Sequence, residues 1–220
     1  AHLFKSITIP ASMLLATTFF WVKLSSQPEH FMLMYLLCIP AFSFLALFFV
    51  QALKFGTVGT IRNISASFFS IMYLGFLCAF ILGIRIMWGP WILLFFVFTI
   101  KSSDIGAYTL GKLFGKHKMT PSISPGKTWE GMVGAVLFAG LVSFGFSRIC
   151  GIMPLLTSVI FGACFGVLGQ LGDLAESMIK RDAASKDSSS RIPGFGGLLD
   201  VIDSPLATGP AAFIFFSLVF

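Results

Sequence analysis

Residues 153–204 read MPLLTSVIFGACFGVLGQLGDLAESMIKRDAASKDSSSRIPGFGGLLDVIDS, and two different solvents are written into that one stretch. Up to Gly172 it carries no charged side chain, and about 20 such residues are what a helix needs to cross a bilayer. From Gly172 to Ser204 the pattern inverts. This short run holds six of the chain's nine acidic residues (Asp173, Glu176, Asp182, Asp187, Asp200, Asp203) and Lys180, Arg181, Lys186 and Arg191 among its fifteen basic ones. A charge concentration hung between apolar spans is where a membrane protein does polar chemistry.

Working outward, the rest of the chain repeats the apolar half of this pattern. Of 220 residues, 56% are hydrophobic and 11% charged, with 27 phenylalanines and a mean hydropathy of +0.93. Soluble domains carry roughly 25% charged residues, so the fold class is an all-α polytopic membrane protein. Apolar runs predict about seven transmembrane helices, near 5–24, 31–53, 64–84, 87–104, 131–150, 153–172 and 205–220. Residues 1–100 then form a set of N-terminal transmembrane helices. Residues 101–220 form a catalytic transmembrane region containing two polar segments, 101–131 and 172–204. Gly162 and Gly166 form a GxxxG in the sixth span, which permits close helix approach. Cys38, Cys78, Cys150 and Cys164 lie singly in apolar runs and read as small hydrophobes. Because the chain starts on Ala1, we expect sequence upstream of it.

Basic residues orient the spans. Lys5, Lys54, Arg62, Lys101, Lys112, Lys116, Lys118, Lys127, Lys180, Arg181, Lys186 and Arg191 fall on one side. Only Lys23, Arg85 and Arg148 fall on the other. The positive-inside rule makes the first side cytoplasmic. Every acidic residue except Glu29 joins it, which that rule does not require, so the sequence predicts active-site segments facing the cytoplasm. The net charge of +6 is accounted for by this topology, and no nucleic-acid partner is expected.

Within 172–204, Asp173, Glu176 and Lys180 have helical i, i+3, i+7 spacing and share a face. An ionised Asp173 at the end of an apolar run is costly unless paired or bound to a cation. Asp200 and Asp203 present two carboxylates to one point. These hard oxygen donors suit Mg²⁺, which favours one or two carboxylates plus phosphate oxygens. The plainer reading is an ordinary Glu176–Lys180 pair and solvated aspartates. Pro193-Gly194-Phe195-Gly196-Gly197 lets backbone N–H groups approach an anion, and its charged flanks favour phosphate over a plain turn. In 101–131, Asp104 ends an apolar run. Tyr108, Gly111-Lys112 and Gly115-Lys116 follow it, then Ser124-Pro125-Gly126-Lys127-Thr128-Trp129-Glu130-Gly131. The three lysines there suit screening of a polyphosphate, or else serve only topology. Gly126-Lys127-Thr128 is not a P-loop, since Pro121 stands where the upstream glycine belongs. His2, His30 and His117 have no partner at metal spacing. No Ser-His-Asp set, GxSxG or HExxH occurs, which leaves hydrolysis by an activated side-chain nucleophile unsupported.

Ser177-x-x-Lys180-Arg181 with Lys186-Asp187, then Pro193-Gly-x-Gly-Gly197, then Leu199-Asp200-x-x-Asp203-Ser204, resembles the signature of the CDP-diacylglycerol synthases (phosphatidate cytidylyltransferases). Asp104-x-x-Ala107-Tyr108 and Ser124-Pro-x-Lys127-Thr-Trp-Glu-Gly131 resemble that family too. The sequence departs from the family pattern where Phe195 replaces a usual His and Val201 a usual Arg.

The resemblance implies a Mg²⁺-dependent nucleotidyltransferase of phospholipid biosynthesis. Such an enzyme condenses CTP with phosphatidic acid to CDP-diacylglycerol and pyrophosphate. Asp173, Asp200 and Asp203 would hold the metal, with room for a second cation. Asp173, Lys180, Arg181, Lys186, Asp187, Asp200 and Asp203 form the implied catalytic set. Asp104, Tyr108, Ser124, Lys127, Thr128, Glu176, Gly194, Gly196, Gly197 and Ser204 form the substrate- and phosphate-binding set. The lipid bilayer supplies one substrate, a bacterial inner membrane fits the short loops, and a homodimer is compatible with so small a bundle. Alternatives are a CTP-dependent polyprenol or lipid kinase, a non-catalytic homologue, or a transporter. A CDP-alcohol phosphotransferase is disfavoured because DGxxAR is missing.

Overall fold

The computed structural model of the protein describes residues 2–25, 30–183 and 197–220. Lys186, Asp187, Gly194 and Gly196, with Arg191 and Phe195, lie outside the described residues. The chain divides into two units, Ala1–Met87 and Trp88–Phe220.

The regular elements described in the first unit are all helical: α1 (Lys5–Ala16), α2 (Thr18–Leu24), α3 (His30–Phe55), α4 (Thr60–Ser70), a π-helical turn at Ile71–Phe76, and α5 (Leu77–Trp88). The sequence predicts one span over 5–24, and the structure bends it by 52° at Thr17. The cause is local. Thr17 Oγ1 donates to the Met13 carbonyl at 2.7 Å, and Thr18 Oγ1 to that of Leu14 at 3.1 Å. Hydroxyls bonded back onto a helix in this way compete with its own ladder and bend it. The turn between α3 and α4 is closed by buried Gln51, whose Nε2 donates to the carbonyls of Gly56 (3.1 Å) and Val58 (2.9 Å).

The second unit runs α6 (Pro90–Phe114), a hairpin of β1 (Lys118–Thr120) and β2 (Ser124–Thr128), α7 (Trp129–Cys150), α8 (Leu155–Asp182) and α9 (Leu198–Val219). The strands pair antiparallel, Lys118 opposite Thr128 and Thr120 opposite Ser124. Two of the helix starts have a plain chemical reason. Pro90 opens α6, where its missing N–H is no loss. The Thr128 hydroxyl caps α7 by accepting from Gly131 N at 3.1 Å.

Because lipid tails are as apolar as leucine, helices in a bilayer are held by packing rather than by hydrophobic expulsion. Phe161 on α8 is fully buried and stacks on Phe165 at 4.1 Å between ring centres. It also packs on Phe95 of α6 at 5.0 Å and Phe216 of α9 at 5.3 Å. The GxxxG functions as expected. A Cβ added to Gly162 would come 2.7 Å from Gly140 Cα, and one on Gly166 would come 3.0 Å from Val136 Cα. Both glycines therefore bring the α8 backbone directly against α7.

Among the described residues, six helices are long and apolar enough to cross a membrane, or seven if the bent α1–α2 pair is one span. The protein is an all-α polytopic membrane protein. The helices outrun their apolar sequences. α6 continues past 104 to Phe114, α8 past 172 to Asp182, and α9 begins at Leu198 rather than 205. Hydropathy marks where a helix leaves hydrocarbon, not where its backbone stops, and no proline interrupts 105–114 or 173–182. At α9 the Asp200 carboxylate accepts from Gly197 N at 2.6 Å. This satisfies an orphan donor of the first turn, so the helix starts ahead of Pro205.

Candidate active site

The helical overruns carry the functional side chains. Asp104 sits on α6, Asp173, Glu176 and Lys180 on α8, and Asp200 and Asp203 on α9. One close approach joins α8 to α9: a Cβ on Gly172 would come 2.8 Å from the Ala207 Cβ. Beside that contact, Asp173, Glu176 and Asp203 each offer a carboxylate oxygen, all within 4.8 Å of one another. Glu176 and Asp203 are buried, at 1% and 4% exposure.

Glu176 Oε2 pairs with Lys180 Nζ at 2.5 Å. Its Oε1 has no hydrogen-bond partner among the described residues. Asp203 Oδ1 accepts from the Ser204 backbone N–H at 2.7 Å and lies 3.8 Å from Lys101 Nζ. Asp173 Oδ2 pairs with Lys127 Nζ at 3.0 Å. Asp200, expected from the sequence among the metal ligands, points elsewhere: its carboxylate bonds Lys180 Nζ at 3.0 Å and the Gly197 backbone. The carboxylate gathered with Asp173 and Asp203 is that of Glu176. Two buried carboxylates beside a half-buried third, with one unpartnered oxygen among them, form a donor set that fits a hard divalent cation.

A cavity of about 240 Å³ opens alongside, lined by Asp104, Tyr108, Met119, Ser124, Lys127, Thr128, Met132, Gln170 and Asp173. Lys127 reaches into it from β2 and also donates to the Gln170 carbonyl at 2.7 Å. Gln170 Nε2 in turn donates to Asp104 Oδ1 at 3.2 Å, and Lys101 Nζ pairs with Asp104 Oδ2 at 3.0 Å. Lys101 and Gln170 thus join Asp203, Asp104, Lys127 and Asp173 into one network. The reading of the sequence used Lys101 only for topology and passed over Gln170. The signal was present: each stands three residues before an aspartate at the polar end of a span, on the same helical face.

Five carboxylates (Asp104, Asp173, Glu176, Asp200, Asp203) meet three lysines (Lys101, Lys127, Lys180) here, so among the described residues the cluster is short of positive charge. Arg181 lies at the edge, its Nε donating to the Ile123 carbonyl of the hairpin at 3.3 Å. Thr128 is buried as the α7 cap, and buried Ser204 Oγ lies 3.4 Å from Asp203 Oδ1. Tyr108 is exposed at the cavity edge, where its hydroxyl accepts from Lys112 Nζ at 3.3 Å. Lys112 and Lys116, grouped with Lys127 in the sequence, do not enter the network and are exposed. His117, which has no partner at metal spacing in the sequence, pairs through Nδ1 with Glu130 Oε1 at 2.6 Å.

Comparison with known proteins agrees with this geometry. A sequence model of the cytidylyltransferase family matches residues 2–219. A phosphatidate cytidylyltransferase of Haemophilus influenzae is 40% identical over 137 residues, covering 59% of this chain and 48% of that protein. One from Bacillus subtilis is 42% identical over 120 residues, covering 54% and 44%. The uncharacterized Escherichia coli protein YnbB is 36% identical over 188 residues, covering 83% and 63%. The chain thus spans about half to under two thirds of the length of these relatives. With the match running almost end to end, the chain belongs to the cytidylyltransferase family.

Proposed function

We propose that the protein is a phosphatidate cytidylyltransferase, condensing CTP with phosphatidic acid at the cytoplasmic face of a bacterial inner membrane. The observation that carries this reading is the Asp173–Glu176–Asp203 trio, within 4.8 Å and with Glu176 and Asp203 buried, beside a lysine-bearing cavity at the polar ends of membrane helices. The relatives from Haemophilus influenzae and Bacillus subtilis bear that enzyme's name.

The reaction makes few demands on side-chain acid–base chemistry. A phosphate oxygen of phosphatidic acid, already anionic at neutral pH, attacks the α-phosphorus of CTP. The new P–O bond forms as the α–β bridging P–O bond breaks, and pyrophosphate carries away the electron pair. No general base is needed, which matches a site without a catalytic histidine. The difficulty is bringing two anions together, so catalysis rests on positioning and charge neutralisation. Lys127 is held between Asp173 and the Gln170 carbonyl, pre-aimed into the cavity. Lys180 is fixed by Glu176 and Asp200. These lysines balance the incoming phosphates, and Ser124 and Thr128 shape the wall from the hairpin. Asp173, Glu176 and Asp203 would hold Mg²⁺, which when bound supplies further positive charge to the phosphate oxygens.

The test is turnover of labelled CTP with phosphatidic acid by the reconstituted protein, with and without Mg²⁺, and identification of both products. CDP-diacylglycerol and pyrophosphate are expected. Release of CDP with a phosphorylated lipid would make the protein a kinase instead. Turnover appearing only after Phe195→His and Val201→Arg would overturn catalysis for this chain while leaving the site assignment standing.

A further inference from the structure

Lys112 and Lys116 are left over from the site just described, and together with Lys118 they form a feature of their own. All three are exposed at the C-terminal end of α6 and the start of the hairpin. None has a carboxylate within ion-pair distance among the described residues. Glu130 is the one acidic residue between Asp104 and Asp173, and it is taken by the His117 ring at 2.6 Å and the His117 N–H at 3.3 Å. Among the described residues the patch is therefore uncompensated. It is also studded with apolar groups: Leu113 is 67% exposed, Phe114 63% and Trp129 57%. Lysines beside exposed aromatic and aliphatic side chains, at the polar end of a span, match the chemistry of the headgroup layer. The patch is continuous with the cavity, because Lys112 Nζ donates to the hydroxyl of Tyr108 and Tyr108 lines the cavity.

We propose that this end of the second unit is a platform that gathers anionic phospholipids. Lys112, Lys116 and Lys118 hold lipid phosphate groups of the adjoining leaflet. Leu113, Phe114 and Trp129 lie among the upper acyl carbons, and Tyr108 marks the step from platform to cavity. The delivery of substrate rests on the functional reading above; the gathering of anionic lipid does not. Setting topology accounts for positive charge on this face during insertion. It does not account for the contact through Tyr108, nor for any lipid preference in a protein already inserted.

The experiment uses the chain in phosphatidylcholine nanodiscs carrying a minor fraction of spin-labelled phosphatidic acid or spin-labelled phosphatidylcholine. The signal is the excess of protein-associated phosphatidic acid over phosphatidylcholine. Polybasic contacts are worth about 1 kcal/mol per lysine near an anionic surface, so each lysine lost should lower the excess by up to about fivefold. Lys112→Gln/Lys116→Gln/Lys118→Gln should lose it, the corresponding triple arginine variant should keep it, and Lys5→Gln/Lys54→Gln should leave it unchanged. In turnover, the triple glutamine variant should raise the KM for phosphatidic acid with kcat and the KM for CTP unaltered. An unchanged lipid excess in that variant overturns the platform. Displacement of the labelled lipid by inorganic phosphate also overturns it, in favour of an isolated phosphate site. If the excess falls in a protein that shows no turnover, the platform stands and the functional reading fails.

Discussion

Glu176 decides how the candidate centre is read at the scale of single residues. Its side chain is buried, one oxygen is committed to Lys180, and the other is unpartnered among the described residues. Changing Glu176, Asp173 or Asp203 to the matching amide removes one negative charge while keeping nearly the same volume. Loss of a preorganised electrostatic group typically costs about 10²–10³ in turnover. Each of Glu176→Gln, Asp173→Asn and Asp203→Asn should therefore fall by at least that much while inserting normally. Mg²⁺ should raise the melting temperature of the wild type and not of these variants, as mass action requires for a lost site. A variant that keeps both full turnover and the Mg²⁺ shift removes that residue from the centre. The aspartates were visible in the sequence because a carboxylate at the end of an apolar run needs a partner. The gathering of Glu176, rather than Asp200, with Asp173 and Asp203 was not visible. It depends on Asp200 being drawn to Gly197 N and Lys180 once α9 starts early, which periodicity in an apolar sequence does not report.

At the scale of elements, the centre exists because α8 and α9 come close at Gly172, one position before Asp173. A Cβ there would lie 2.8 Å from the Ala207 Cβ and 3.5 Å from the Ser204 Cα. Gly172→Leu must push the helices apart where Asp173 and Asp203 face each other. Overpacking of this kind costs about 1–3 kcal/mol. The melting temperature should fall modestly, but turnover should fall far more, because sub-ångström placement governs catalysis. Gly166→Leu, at the α7 contact farther into the apolar part of the same helix, should lower stability with a smaller loss of kcat. Equal losses of kcat in the two variants would mean that the α8–α9 approach has no special role. Helix count and the GxxxG contact were legible from composition and spacing. The extension of α6, α8 and α9 beyond their apolar stretches was not. Hydropathy reports the surrounding solvent, whereas capping and the placement of proline decide where a backbone helix ends.

For the molecule as a whole, the distribution of lysine and arginine predicts a site on the cytoplasmic side, and the structure supplies a position at which to measure it. In the second unit the hairpin, the carboxylates and Lys101, Lys127 and Lys180 gather at one end. The far end of α7 carries Arg148 in its last turn. Ser122 lies in the exposed turn of the hairpin between β1 and β2, so a cysteine there would report the side occupied by the whole site. With Cys38, Cys78, Cys150 and Cys164 replaced, Ser122→Cys should react with a membrane-impermeant maleimide in inverted vesicles and resist it in intact cells. A cysteine in place of Leu155, at the start of α8 by the far end of α7, should show the opposite pattern. The consequence is chemical as well as topological, since CTP is a cytoplasmic metabolite and a triphosphate does not cross lipid unaided. Labelling of Ser122→Cys from outside intact cells would leave the carboxylate centre facing a compartment without its nucleotide. The proposed condensation would then fail whatever the geometry of Asp173, Glu176 and Asp203.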